Sequence, residues 1–138
     1  TPPEEAPYLP QGNKAPKTST GVTTRIVRST AVSGAIKDLY KDNCQVCGLR
    51  LNIPGGSISE GAHIRALGKP HLGPDIPENV LCLCPNHHTL FDEGGIYVTD
   101  GLKVTDHQGQ IIGPLTKHVR HNIGHEYLRY HRELWGYP

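Results

Sequence analysis

The sequence predicts an α+β domain, and three observations carry that prediction. Val32, Ala35, Ile36 and Leu39 recur at the spacing of one helical face, short apolar runs broken by turn residues fill the middle, and Ile123, Tyr127, Tyr130 and Leu134 mark a face of a final helix. Of the 138 residues 36% are hydrophobic, and Phe91 and Trp135 are the only large aromatics without a hydroxyl, so the core is expected to be thin and to need a staple.

The elements follow in chain order. Thr1 to about Thr24 hold five of the twelve prolines and little periodic pattern, which is linker composition and leaves residues 25–138 as the folded domain. The chain has no methionine and opens on Thr1, so it reads as a fragment or processed product with something preceding it. The first helix begins at Ser29 or Thr30, either of which serves as N-cap, and ends near Asp42, with Asp38 and Lys41 facing out. Gly34 weakens its middle.

Between Leu51 and Asn79 glycine and proline are dense, and Ala62-His63-Ile64 is a short extended piece that places His63 on a strand. Val80 to Cys84 reads as a buried strand with Cys82 and Cys84 on one face and Leu81 and Leu83 on the other. Pro85 suits the first turn of a helix running through His88 and Phe91, stopped by Gly94-Gly95. Ile96–Val98 and Leu102–Thr105 flank Thr99-Asp100-Gly101, a hairpin whose Asp-Gly supplies positive φ angles, and Gln110 to Ile112 is a further candidate strand. The last helix, roughly Asn122 to Leu134, docks through its apolar face with Trp135 just beyond, its histidines and arginines facing outward.

Charge says little in sum and more in distribution. The net charge is +1, which does not by itself predict a polyanion partner. Lys14, Lys17, Arg25 and Arg28 cluster in the entry segment, and Lys117, Arg120, Arg129 and Arg132 lie near the end among His118, His121, His125 and His131. Such runs serve as solvated faces or as phosphate contacts.

The chemistry lies in Cys44-x2-Cys47 followed by Cys84-x2-His87. Two disulfides are the competing reading, but Cys-x2-Cys with Cys-x2-His is metal spacing, and no secretory signal or transmembrane run accompanies it. Zinc bound by Cys44, Cys47, Cys84 and His87 would tie together the two ends of the 48–78 loop, a structural role. Cys82 is then either a spare buried core residue or an alternative ligand. Adjacent helical side chains diverge by about 100 degrees, so His88 points away from this zinc, toward the strand that carries His63. His63, Asn79 and His88 thus form a second, chemically capable set.

Ala62-His63-Ile64, Asn79 sixteen residues later and Cys84-x2-His87-His88 together resemble the HNH nuclease motif on a ββα-metal fold, over about Cys44 to Gly94. The resemblance implies an HNH core with structural zinc, to which the residue patterns above add an N-terminal helix, a C-terminal hairpin and a docking helix. It implies that His63 is the general base, that Asn79 braces the hairpin and orients the base, and that His88 binds the catalytic divalent ion. Lys41-Asp42-Asn43-Cys44, Gly73-Pro74-Asp75, His88-Thr89-Leu90-Phe91-Asp92 and the ending Glu126-Tyr127-Leu128-Arg129 are similar to the nuclease domains of modification-dependent restriction enzymes. In those proteins an SRA (YDG) domain that reads modified cytosine precedes the nuclease. That family implies double-stranded DNA as substrate, the bacterial cytoplasm as location and a homodimer as the working state.

Phosphodiester hydrolysis needs a deprotonated water in line with the leaving oxygen and a cation near the phosphate. The expected products carry 5′ phosphate and 3′ hydroxyl ends. Many relatives place an aspartate or histidine before the base as a second ligand, whereas this chain has Ala62, and a lone histidine is a poor site for Mg2+ or Mn2+. Asp92, one helical turn past His88, is the favoured replacement over Glu60, three residues before His63. Arg65 and Lys69 are candidate DNA contacts, and His71 has no evident partner. The competing functions are a non-catalytic zinc module binding DNA or protein, which Ala62 favours mildly, and a structure-selective or homing-type HNH nuclease.

Overall fold

The computed structural model describes residues 8–22 and 30–138; Arg25, Arg28 and the N-cap candidate Ser29 lie outside them. Residues 8–22 contain no helix or strand and are exposed throughout. No helix among the described residues is long and apolar enough to cross a membrane.

Helix α1 (Thr30–Leu39) buries Ile36 and packs with Tyr40, Val32 and Leu39 against Val80 and Cys82. Ala35 does not share that face and is exposed, and the helix stops short of Asp42. The reason is local: Lys41 and Asp42 both take left-handed backbone angles, with φ of 52° and 60°, which reverse the chain toward the cysteines. Ser57 and Ser59 donate to the two Asp42 carboxylate oxygens at 2.6 and 2.5 Å. These bonds hold the reversal against a hairpin, β1 (Leu51–Ile53) with β2 (Gly56–Ile58), that the Gly- and Pro-dense sequence hid.

The centre of the fold is a second antiparallel hairpin, β3 (Glu60–His63) on β4 (Val80–Leu83), with His63 opposite Val80 and Glu60 opposite Leu83. A single 3-10 turn, Pro77–Asn79, leads into β4, and α2 (Pro85–Asp92) follows it with Cys84 as N-cap and Pro85 at N1. β4 is buried on both faces. Val80 and Cys82 face α1, while Leu81 and Leu83 join Ala62, Phe91, Val98, Val104 and Leu128 in the main core. Cys84 does not follow Cys82: the chain has already turned into α2, and Cys84 packs with the main core.

Three strands close the far side, β5 (Ile96–Val98), β6 (Lys103–Asp106) and β7 (Ile111–Pro114), in sequential antiparallel order. The Asp-Gly turn departs from expectation: the positive φ, 58°, falls on Leu102 and not on Gly101. Leu102 N donates to Thr99 O, and Thr99 N to Lys103 O, so the loop closes one residue later than a two-residue turn would.

Helix α3 (His125–Leu134) begins three residues after Asn122 and corrects the expected face. His131 and Arg132 are buried with Leu128, whereas Leu134 is exposed. Their flat polar groups explain it, since an imidazole or guanidinium can bury its faces while its edge finds an oxygen. His131 stacks on Phe91 with centroids 3.7 Å apart and donates from Nε2 to Phe91 O, and Arg132 donates to Val98 O and to Asp100, each at 2.9 Å. His121, expected on a solvated face, is also buried: it meets the Tyr40 hydroxyl at 2.6 Å and Pro77 O at 2.9 Å.

Candidate active site

Four donor atoms converge where the turn after α1 meets the start of α2. One atom each from Cys44, Cys47, Cys84 and His87 lie within 4.8 Å of one another. A tetrahedron with zinc–sulfur bonds of about 2.3 Å has sulfur–sulfur edges of roughly 3.8 Å. The Cys47–Cys84 sulfurs stand 3.9 Å apart, and His87 Nδ1 lies 3.8 Å from Cys44 Sγ and 3.3 Å from Cys84 Sγ, so the donor set fits zinc in chemistry and dimension. Gln45 buttresses it: its side chain accepts from Cys82 N and donates to Thr116 O, each at 2.8 Å. Cys82 lies outside the group, with Sγ 3.4 Å from Ser59 Oγ.

His63, Asn79 and His88 surround the β3–β4–α2 unit as the spacing suggested. Asn79 is fully buried and acts on the 64–79 loop, not directly on His63. Its Oδ1 accepts from Arg65 N at 2.8 Å, and its Nδ2 donates to Arg65 O at 2.9 Å and Pro74 O at 2.8 Å. Gly73 lets the two loop limbs meet, since a Cβ there would fall 2.1 Å from Arg65 O. Pinning Pro74 positions its neighbour Asp75, whose Oδ1 lies 2.8 Å from His63 Nε2. Asp75 is a site residue that the sequence did not mark as such; its signals were its place in Gly73-Pro74-Asp75 and its position four residues before Asn79 in a loop that must return to His63.

His88 is bracketed by both candidate carboxylates. Its Nδ1 meets Glu60 Oε1 at 2.6 Å and its Nε2 meets Asp92 Oδ2 at 3.1 Å. The Asp92 hydrogen bond, opposed by partial burial and joined by Glu60, raises the pKa of His88 to about 9. His88 with one of these carboxylates offers two donors suited to a divalent cation. The two carboxylates sit at opposite ring nitrogens, so only one of them could share an ion with His88, and that ion would take the place of the ring proton between them.

A cleft of about 370 Å3 joins these groups, lined among others by His63, His71, His88, Asp92, His131 and Trp135. His131 Nδ1 is buried there without a hydrogen-bond partner, and burial lowers the pKa of this histidine. His71 does have a partner, the Tyr130 hydroxyl at 2.7 Å from its Nδ1. Arg65 is partly committed: Nε donates to His71 O at 2.6 Å and the guanidinium carbon lies 4.2 Å from the Tyr130 ring centroid. Lys69 is exposed.

Comparison with known proteins accords with this geometry. The pattern of a family described as HNH endonuclease matches residues 44–99. A solved structure, described as a modification-dependent TagI restriction endonuclease, superposes with a TM-score of 0.77 at 49% identity, covering 79% of this chain and 39% of that one. The chain therefore spans well under half the length of that protein. No curated protein matches it.

Proposed function

We propose that this chain, whose residues 44–99 match an HNH endonuclease family, hydrolyses the backbone of duplex DNA as the cutting module of a modification-dependent restriction enzyme. The observation that carries the proposal is His63, paired with Asp75 at 2.8 Å, opening on the same cleft as His88 and Asp92.

The roles follow from the contacts. An ionised Asp75 can only accept, so His63 Nε2 carries the proton between them, and Nδ1 keeps the lone pair that takes a proton from the attacking water. Asn79 is a positioning residue, because it fixes the loop limbs that carry Arg65 and Pro74 and so sets Asp75 against the base. His88 with Asp92, and Glu60 as the alternative, would hold Mg2+ or Mn2+. That ion, when bound, supplies positive charge to offset the charge growing on the phosphate and leaving oxygen. Cys44, Cys47, Cys84 and His87 hold zinc as a structural ion, which ties α2, and with it His88, to the turn after α1. Arg65 and Lys69 contact DNA phosphates, Arg65 through the guanidinium nitrogens that His71 leaves free.

The choice of modified cytosine is assigned to an upstream SRA-type reader domain, a reading supported by the similarity to a modification-dependent restriction endonuclease. Cutting both strands calls for two active sites and hence a homodimer, and a restriction role places the protein in the bacterial cytoplasm. The test is incubation of the chain with supercoiled plasmid and Mg2+ or Mn2+, modified or not. Nicking and linearisation irrespective of modification, with ends that ligase rejoins, are expected. DNA binding without cleavage in either metal would favour the non-catalytic zinc module.

A further inference from the structure

Trp135 is the only tryptophan of the chain and stands at the C-cap of α3, where its backbone N–H bonds His131 O. One side of the indole lies so close to the end of α2 that a Cβ on Gly94 would come within 2.4 Å of its Cδ2. The ring is thus held in place by a glycine contact, yet Trp135 is 41% exposed and Leu134 beside it 49%. In a core this thin, a side chain kept half out of it is not there for burial; Phe91, 1% exposed, has that role. Both exposed side chains line the cleft that also holds His63, His88 and Asp92. The cleft therefore combines a polar, metal-capable part with an apolar part, and a nucleotide has the same division between its anionic phosphate and the carbon face of its sugar.

Resting on the nuclease reading above, we infer that Leu134 and Trp135 form a wall that seats the deoxyribose of a nucleotide flanking the scissile phosphate. A duplex presents its sugars beside its phosphates while its base faces stay stacked, so such a wall adds affinity and register without sequence preference. Trp135 touches substrate in this scheme, and Gly94 is the positioning residue that admits the ring.

The single tryptophan makes the test direct. The chain is titrated with a fluorescein-labelled duplex in Ca2+, without Mg2+ or Mn2+, while fluorescein anisotropy and indole emission are followed together. The inference predicts an indole emission that moves to shorter wavelength with the same midpoint as the anisotropy rise. Anisotropy that saturates with unchanged indole emission overturns the inference while leaving the nuclease reading intact, and no anisotropy rise at all overturns both. In steady-state cleavage with Mn2+, Trp135→Ala should raise KM for plasmid several-fold and Trp135→Phe should recover most of the loss. An unchanged KM in Trp135→Ala also overturns it, and the titration of the unaltered chain stands whether or not that variant folds well.

Discussion

Asp75 Oδ1 lies 2.8 Å from His63 Nε2, so the imidazole enters the cleft with one nitrogen already bound to a carboxylate. The pair is well shielded, with side chains 6% and 19% exposed, which keeps water from competing for that bond. Its consequence for catalysis is a fixed tautomer. Asp75→Asn removes the charge and lets the amide meet the ring as donor or acceptor, so the free nitrogen is no longer defined. We expect kcat for plasmid nicking to fall about 10- to 100-fold, less than the ~10²–10⁴-fold of losing the base itself, with KM little changed. Asp75→Glu should recover part of the rate. A kcat equal to the parent's would show that Asp75 does not orient the base.

Glu60 and Asp92 occupy opposite nitrogens of His88, so in the proposed site only one of the two carboxylates would share the ion. Asp92 sits one turn along the same helix, a spacing that survives any shift of the hairpin. The Mn2+ concentration for half-maximal activity should therefore rise more in Asp92→Asn than in Glu60→Gln. The reverse order, measured by activity against Mn2+, would assign the role to Glu60.

Stability should peak near pH 6.5. Burial lowers the pKa of His121 and of His131, so the folded chain refuses protons that the unfolded chain accepts below about 6.5. Their contribution is complete above that pH and is lost as pH falls. His88 acts in the opposite direction: raised to about 9, it contributes fully below 6.5, and its share is lost as pH climbs through 9. Thermal melts from pH 5 to 10 should show declines on both sides, and a flat profile would contradict these environments.

Gly94 takes φ of +74° and touches the Trp135 ring, so Gly94→Ala meets two obstacles at once. A destabilisation of about 1–3 kcal/mol is expected from the left-handed backbone and the displaced indole. Denaturant midpoints of the two proteins measure it.

Cys44→Ser removes one of four convergent ligands and should abolish stoichiometric zinc and lower the melting temperature sharply. Full stability of that variant, with zinc assayed by elemental analysis, would remove the ion from its structural role.

Much of this site was legible because metal ligation is strongly constrained in sequence. Two Cys-x2 pairs leave few geometries, and the adjacent His87 and His88 must part by a helical rotation, so one serves the cysteines and the other the β3–β4 hairpin. Long-range partners were not legible. Asp75 meets His63 across a loop whose Pro74 is held by Asn79, and no period in the sequence announces a carboxylate arriving across a loop. His121, His131 and Arg132 were misplaced for a related reason. Hydropathy assigns them to solvent, while their flat bodies bury and their edges find Pro77 O, Phe91 O and Val98 O. The β1–β2 hairpin was hidden because Pro54, Gly55 and Gly56 dominate its composition, and the pairing rests on backbone bonds that composition does not report.

In the proposed mechanism His63 is the base of a metal-dependent nuclease whose zinc only holds the fold. Plasmid nicking by His63→Ala in Mg2+ or Mn2+, with zinc content and melting temperature measured on the same sample, tests it most directly. Cleavage should vanish while zinc stays at the parent's stoichiometry and the melting temperature stays near the parent's. Cleavage at the parental rate by a folded, zinc-loaded His63→Ala protein would contradict it.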